Sequence, residues 1–451
     1  MPPVTSADQN DLDLLTDLLA RAKAAGAEAA DAVMVHATSL SHARRLGELE
    51  RLERAESSDL GLRVFLGRQQ AVVSSTDSSS AALAQLAEQA VAMARSVPED
   101  SYCGLAEPEA IARDVPVLEI CDAEEPATET LIARAQACED AARAVEGITN
   151  SEGAEAGWGL SRVTLAASNG FSGGYAGSSH SVGVSVLAGE GGGMERDYDY
   201  SSVVFGADLE DPAEIGRRAG ERTVRRLNPR KPDTGKVPVV FDPRVSNGLL
   251  RHFSGAINGT AIARGTSFLK DAMETEVFGP GITVVDDPHR ARGLRSKPFD
   301  GEGLANRRRS IVEAGVLKTW ILDLRSARQL GLESTAHAAR GTSSPPSPAT
   351  TNLYLEPGEL SPEALIAEID QGLYVTEMMG MGINMVTGDY SRGAAGYWID
   401  KGELAYPVSE LTVAGNLKDM FRNVTPASDL TFRYGINAPT LRIDGLTVAG
   451  S

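Results

Sequence analysis

Cysteine is scarce in this chain. Three residues among 451, Cys103, Cys121 and Cys138, form an odd, widely spaced set that fits no CxxC metal or redox pattern. Such usage suits a reducing compartment and argues against a disulfide framework, so the cytoplasm is the expected location. Long apolar runs are missing too. No stretch of about 18 apolar residues is present, which argues against a transmembrane helix. The opening MPPVTSADQNDLDLL has no basic segment followed by an apolar one, so no secretory leader is expected. Basic residues are outnumbered: 43 Lys and Arg face 62 Asp and Glu, a net charge of −19. That balance opposes general binding to nucleic acid or an anionic membrane. Two phosphate-binding signatures are also absent, GxxxxGK[ST] and GxGxxG. The glycine-rich AGEGGGME therefore reads as a hairpin turn before the polar strand MERDYDYSS.

What remains is an ordinary globular composition, 42% hydrophobic and 23% charged. At roughly 150 residues per domain, the length suggests two or three domains. Leucines at helical spacing predict a helix over 9–25, ending at Gly26. From Asp31 to Ser75 the pattern changes to short, partly alternating runs, with a hairpin about Gly67. An Ala-rich helix over 80–96 precedes a proline-punctuated acidic stretch, Pro98 to Pro126, that resembles a linker. Residues 127–145 read as a helix. Several strands are expected over 147–205, with turn signals at Asn169-Gly170, Gly173-Gly174 and Gly189–Gly193, and a helix over about 211–227 closes this unit. After the boundary RRLNPRKPDTG comes a strand, KVPVVFD, and a helix from Pro243 to about Asn258, with Asp242 as N-cap. The rest is glycine-rich and mostly β, interrupted by the proline loop GTSSPPSPATTN (341–352). The expected organisation is α+β: an α/β N-terminal unit over 1–115, a middle α+β unit over 116–232, and a β-rich, barrel-like domain over 233–451.

Long ordered blocks carry a resemblance. LLRHFSGAINGTAIARGTSFLKD, GITVVDDPHRARGLRSKPFDGEG, MGMGINMVTGDYSRGAAGYWIDKGELAYPV and ELTVAGNLKDMF resemble the C-terminal domain of PmbA/TldE-type members of the TldD/PmbA metallopeptidase family. GGGMERDYDY and the hairpin near residue 65 fit as well. The resemblance implies a cytosolic two-subunit protease that degrades unfolded peptides and trims leader peptides. Its TldD-type subunit binds zinc through HExxxH on a helix and a cysteine near the C-terminus. This chain departs from that pattern at each point. Arg251 stands where the first ligand histidine would be, His252 replaces the general-base glutamate, and Ala256 replaces the second histidine. The tail DLTFRYGINAPTLRIDGLTVAGS holds no cysteine. Arginine does not deprotonate to bind a metal and alanine has no donor atom, whereas a hydrolytic zinc needs about three protein ligands and one open position.

The expectation is therefore a chain with no catalytic residue and no cofactor of its own, zinc residing in a TldD-type partner. Self-association is the alternative partner. A scattered metal set drawn from His252, His289, Asp286, Asp287 and His337 stays open as a reading, as does a homodimeric peptide-binding protein without a hydrolytic partner. The resemblance also implies that the proline loop borders a shared chamber, and glycines of GINMVTGDYSRGAAG permit close backbone approach to an extended peptide. Thr351, Asn352, Asn384, Gly388 and Asp389 are the candidate peptide-binding residues. The Arg307-Arg308-Arg309 triplet reads either as a contact for a partner or peptide carboxylate or as a solvated strand edge.

Overall fold

The computed structural model describes residues 8–450; residues 1–7 of the opening, read above as carrying no leader pattern, lie outside it. The first helix, α1 (Gln9–Ala24), buries Leu15, Leu18 and Ala22 at the spacing that predicted it, and the Asp8 carboxylate accepts from the Asn10 amide as N-cap. Then come β1 (Ala29–Arg45), β2 (Glu48–Leu66), β3 (Gln69–Ser75) and α2 (Ser80–Ala94). After a stretch without helix or strand, α3 (Thr128–Arg143), β4 (Ile148–Ala167), β5 (Ser172–Ala188), β6 (Glu195–Val203) and α4 (Pro212–Arg225) follow.

All six of these strands form one antiparallel sheet, in the order β3-β2-β1-β4-β5-β6. The short runs expected over 31–75 are instead strands of 17 and 19 residues. Residues 48–58 of β2 are exposed throughout, so neither face carries an apolar alternation from which the length could be read. The hairpin turn at Leu46-Gly47 has positive φ at both residues, 50° and 89°. It is held from below by the buried Glu139 of α3, whose carboxylate accepts from the Leu46 and Gly47 amides at 2.7 and 3.1 Å. Gly173-Gly174 is not a turn; it lies within β5, paired to Leu165 and Thr164. A Cβ on Gly173 would sit 3.1–3.2 Å from the rings of Phe171 and Phe299, so glycine there admits aromatic packing.

The stretch 98–126 is no free linker. The Arg328 guanidinium donates to the carbonyls of Tyr102, Gly104 and Leu105, the Ala112 amide bonds Gly303, and Ala106, Ala112 and Ile120 are buried. It forms a strap tied to the C-terminal half, because backbone groups without a ladder need partners elsewhere.

The C-terminal half begins with β7 (Gly235–Phe241), α5 (Pro243–Ala256) and α6 (Gly259–Ala263). Short pieces follow: β8 (Val284–Asp286), β9 (Arg309–Glu313), β10 (Val316–Leu317), α7 (Leu324–Leu330), β11 (Ala338–Ala339), β12 (Ser347–Pro348), β13 (Leu353–Leu355) and α8 (Pro362–Ala367). Longer strands then return in β14 (Gln371–Met379), β15 (Asp389–Asp400) and β16 (Glu403–Asn416). The chain continues through α9 (Leu417–Arg422), β17 (Val424–Pro426), β18 (Ile436–Asn437) and β19 (Leu441–Ala449). The order β16-β15-β14-β7-β19 is closed by pairing of β16 with β19, giving a five-stranded barrel with β17 appended. The expected α+β class with a barrel-like C-terminal domain is what is found. A smaller sheet, β10-β9-β8-β13-β18, lies beside it, and one large apolar core joins α5 to both.

Candidate functional site

Helix α5 starts where the Asp242 carboxylate accepts from the Arg244 amide and Pro243 occupies the first turn. Its apolar face, with Leu249, Leu250, Phe253 and Ala256, is buried, and Phe253 meets Phe278 and Phe421 edge-on at 5.0 and 5.7 Å. These contacts fix the rotation of the helix and hence where the three diagnostic positions point. Arg251 is exposed and lines a cleft of about 300 Å³. His252 is half-buried, its ring edge-on to Tyr390 at 6.1 Å, and its Nε2 has no hydrogen-bond partner. Burial, with the charges of Arg392 and Arg251 adding to it, pushes the imidazole down to about 4. Ala256 is fully buried and offers only its carbonyl, which accepts from Ser267 Oγ at 2.5 Å.

One imidazole is therefore the whole side-chain ligand set of these three positions, and they do not fit a zinc ion. The scattered alternative does not assemble either. His337 Nε2 bonds Asp286 Oδ2 at 3.1 Å, while His289 Nε2 bonds Asn306 Oδ1 at 2.7 Å. Among the described residues, no group of three or more His, Cys, Asp or Glu side chains could hold a metal ion.

The far wall of the cleft is the end of the proline loop. Asn258 Nδ2 donates to the Pro348 carbonyl at 2.8 Å, and the hydroxyls of Ser254 and Thr350 face each other at 3.4 Å. The loop begins against the N-terminal sheet, where Gly61 of β2 admits the Thr342 carbonyl at a distance no side chain would tolerate. It thus spans the two halves. Arg295 shares the cleft with Arg251, and Ile321 and Ile436 supply apolar wall.

The proposed peptide-binding residues are not gathered there. Thr351 and Asn352 are buried and already bonded: Thr351 N and Oγ1 to Asp286, Asn352 Nδ2 to the Asp287 carbonyl and Ser296. Asn384 and Asp389 stabilise their own turn, accepting from Val386 N and Thr387 Oγ1, and Gly388 supplies its positive φ of 88°. That turn reaches α5 through Met385, whose Cε lies against Gly255. Of the basic triplet, Arg308 bonds Tyr354 and Glu356, while Arg309 opens β9. The residue that sequence reasoning missed is Arg295. It lies inside one of the recognisable blocks, but no spacing rule links it to Arg251.

A second cluster binds the halves together. The polar strand β6 carries Asp197 and Asp199 into a set of arginines. Asp197 pairs with Arg244 of α5 at 2.8 Å, and Asp199 with Arg218 at 2.8 Å and Arg433 at 3.5 Å. The GGGMERDYDY block is thus an anchor for α5 rather than a site.

A barrel holding a helix at this place, with a long six-stranded sheet in front, is the architecture of a known peptidase family. Residues 30–94, 121–227 and 234–450 match, in turn, the first, central and C-terminal domain models of the PmbA/TldA metallopeptidases. The chain belongs to this family. It is 38% identical over 434 residues to the metalloprotease PmbA of Escherichia coli O157:H7, covering 96% of this chain and 94% of that one. The PmbA homologue of Haemophilus influenzae is 36% identical, covering 95% and 93%. Among solved structures, a Bacteroides thetaiotaomicron protein described as a modulator of DNA gyrase superposes with a TM-score of 0.90 at 28% identity, over 98% of this chain and all of that one. TldE from Thermococcus kodakarensis gives 0.87 at 20% identity over 97% of this chain and 100% of its own, a likeness of fold.

Proposed function

We infer that this chain is the non-catalytic, PmbA/TldE-type subunit of a TldD-like zinc peptidase acting on unfolded or leader peptides in the cytoplasm. The catalytic metal belongs to a TldD-type partner. One observation carries the reading: on α5 the three positions that would supply zinc chemistry present a guanidinium, a half-buried imidazole and a methyl group around an intact, well-packed scaffold. A scaffold kept without its ligands serves assembly or substrate binding.

Reconstitution tests this. A TldD-type partner is assayed for cleavage of an unfolded peptide with and without the full chain. Cleavage is expected only, or at least about tenfold faster, with both chains present; equal activity of the partner alone removes the proposal. Metal analysis of the isolated chain supplies a second check. Stoichiometric zinc that disappears in His252→Ala would make this chain a metallopeptidase in its own right, with a ligand set unlike the family's. Among the described residues no helix is long and apolar enough to cross a membrane.

A further inference from the structure

We propose that the cleft between α5 and the proline loop is a carboxylate-binding site, in which Arg251 and Arg295 together receive the carboxylate of a peptide. Two guanidinium groups line one hollow, and no acidic residue is among those lining it. That is unusual for a chain of net charge −19. Arg244, Arg433 and Arg340 are matched by Asp197, Glu210 and Asp31, while Arg392, whose charge reaches His252, donates to the Gly380 carbonyl. Arg251 and Arg295 make no ion pair among the described residues. The acid whose charge reaches Arg295, Asp286, is fully buried and already accepts from His337 and from Thr351. Two neighbouring cations with no carboxylate at ion-pair distance repel, and a bound anion relieves that repulsion.

The geometry selects the kind of anion. A guanidinium presents paired donors that match a carboxylate in a bidentate fork. The Ser254 and Thr350 hydroxyls stand in the same cleft as further hydrogen-bonding groups, while Ile321, Pro348 and Ile436 give it an apolar side. Its volume of about 300 Å³ reaches the lower end of organic-ligand pockets, so a residue-sized body fits beside the charged head. The choice of a peptide as the carrier rests on the function proposed above; the anion chemistry does not. The carboxylate comes either from a peptide C-terminus or from an Asp or Glu side chain, and the same arginine pair reads both.

Binding of short labelled peptides to the isolated full-length chain, followed by fluorescence anisotropy, tests the site without any partner or cleavage. Failure of the assay therefore leaves the reconstitution result standing, and the reverse. Three peptides suffice: one with a free C-terminus and no acidic side chain, its C-terminal amide, and an amidated version carrying one internal Asp. Arg251→Glu is expected to weaken binding of a carboxylate-bearing peptide at least tenfold. Arg251 is exposed, so the variant folds. Arg295 packs along Gly435, so it is changed conservatively, and Arg295→Lys, which keeps the charge but loses the fork, is expected to weaken binding several-fold. Loss on amidation assigns the α-carboxylate; retention that needs the internal Asp assigns the side chain. Equal binding of all three peptides, affinity unchanged in Arg251→Glu, or displacement by inorganic phosphate at the peptide's own concentration overturns the proposal.

Discussion

Asp31 is fixed between Arg63 and Arg340, with all three side chains nearly buried. Close by, Glu302 is pushed up to about 8 by burial and then by the Asp300 carboxylate, while its Oε2 accepts from the Leu324 amide. A folded-state pKa above the unfolded one means that the native chain holds this proton more tightly. Glu302 therefore contributes stability that is full below the ordinary carboxylate range and is lost as pH rises through about 8. Glu302→Gln keeps the acceptor and removes the titration. Thermal unfolding midpoints at pH 5 and pH 8.5 should show wild type losing at least about 1.4 kcal/mol relative to the variant, the worth of one pKa unit. Parallel curves refute it. None of this is legible in the sequence, where Asp31, Arg63, Glu302 and Arg340 are simply scattered charges. The placing of Arg251, His252 and Ala256 on one helix was legible, because Asp242 and Pro243 mark its start and the apolar spacing continues to Ala256.

Among the elements, the five long helices α1 to α5 were foreseen to within a few residues, since each turns an apolar face to a core, whereas the short helices α6 to α9 were not placed. The long strands were not. An arm exposed on both sides gives no alternation to count, and the contact of α3 with the Leu46-Gly47 turn depends on one buried glutamate far along the chain. The proline loop was foreseen as irregular, but its function as a bridge was not, because that depends on Gly61 in a strand of the other half. Gly61→Ala places a methyl 2.2 Å from the Thr342 carbonyl oxygen. Overpacking of this kind costs about 1–3 kcal/mol. Chemical denaturation should show that loss, whereas Gly192→Ala, with nothing within 4 Å of the new methyl, should unfold like wild type.

At the scale of the molecule, the two halves are joined by the β6 aspartates, by the loop over Gly61 and by the strap over 98–126. Arg328 holds the strap by three carbonyl bonds, the shortest 2.6 Å. Hydrogen bonds to a charged group are each worth about 1.5–3 kcal/mol. Arg328→Ala should release the strap and speed limited trypsin cleavage at the exposed Arg113 by about tenfold or more, with the barrel intact by circular dichroism; an unchanged cleavage rate would show that the strap is held mainly by its buried residues.

Barrel closure has a consequence in time. Strand β7 opens the C-terminal half, yet its neighbours are β14 and β19, and Gly235 pairs with Val448. A ribosome adding about 5–20 residues per second needs roughly ten to forty seconds to supply that partner. Until β14 emerges, Val239, Val240 and Phe241 stand with both strand edges bare, and one edge stays bare until β19 follows, an invitation to pair with another chain. The six-stranded sheet in front can be complete long before the barrel is. Nascent chains stalled before Leu441 should therefore be the aggregating species, and expression that slows growth in concentration of such chains should raise the yield of the native protein.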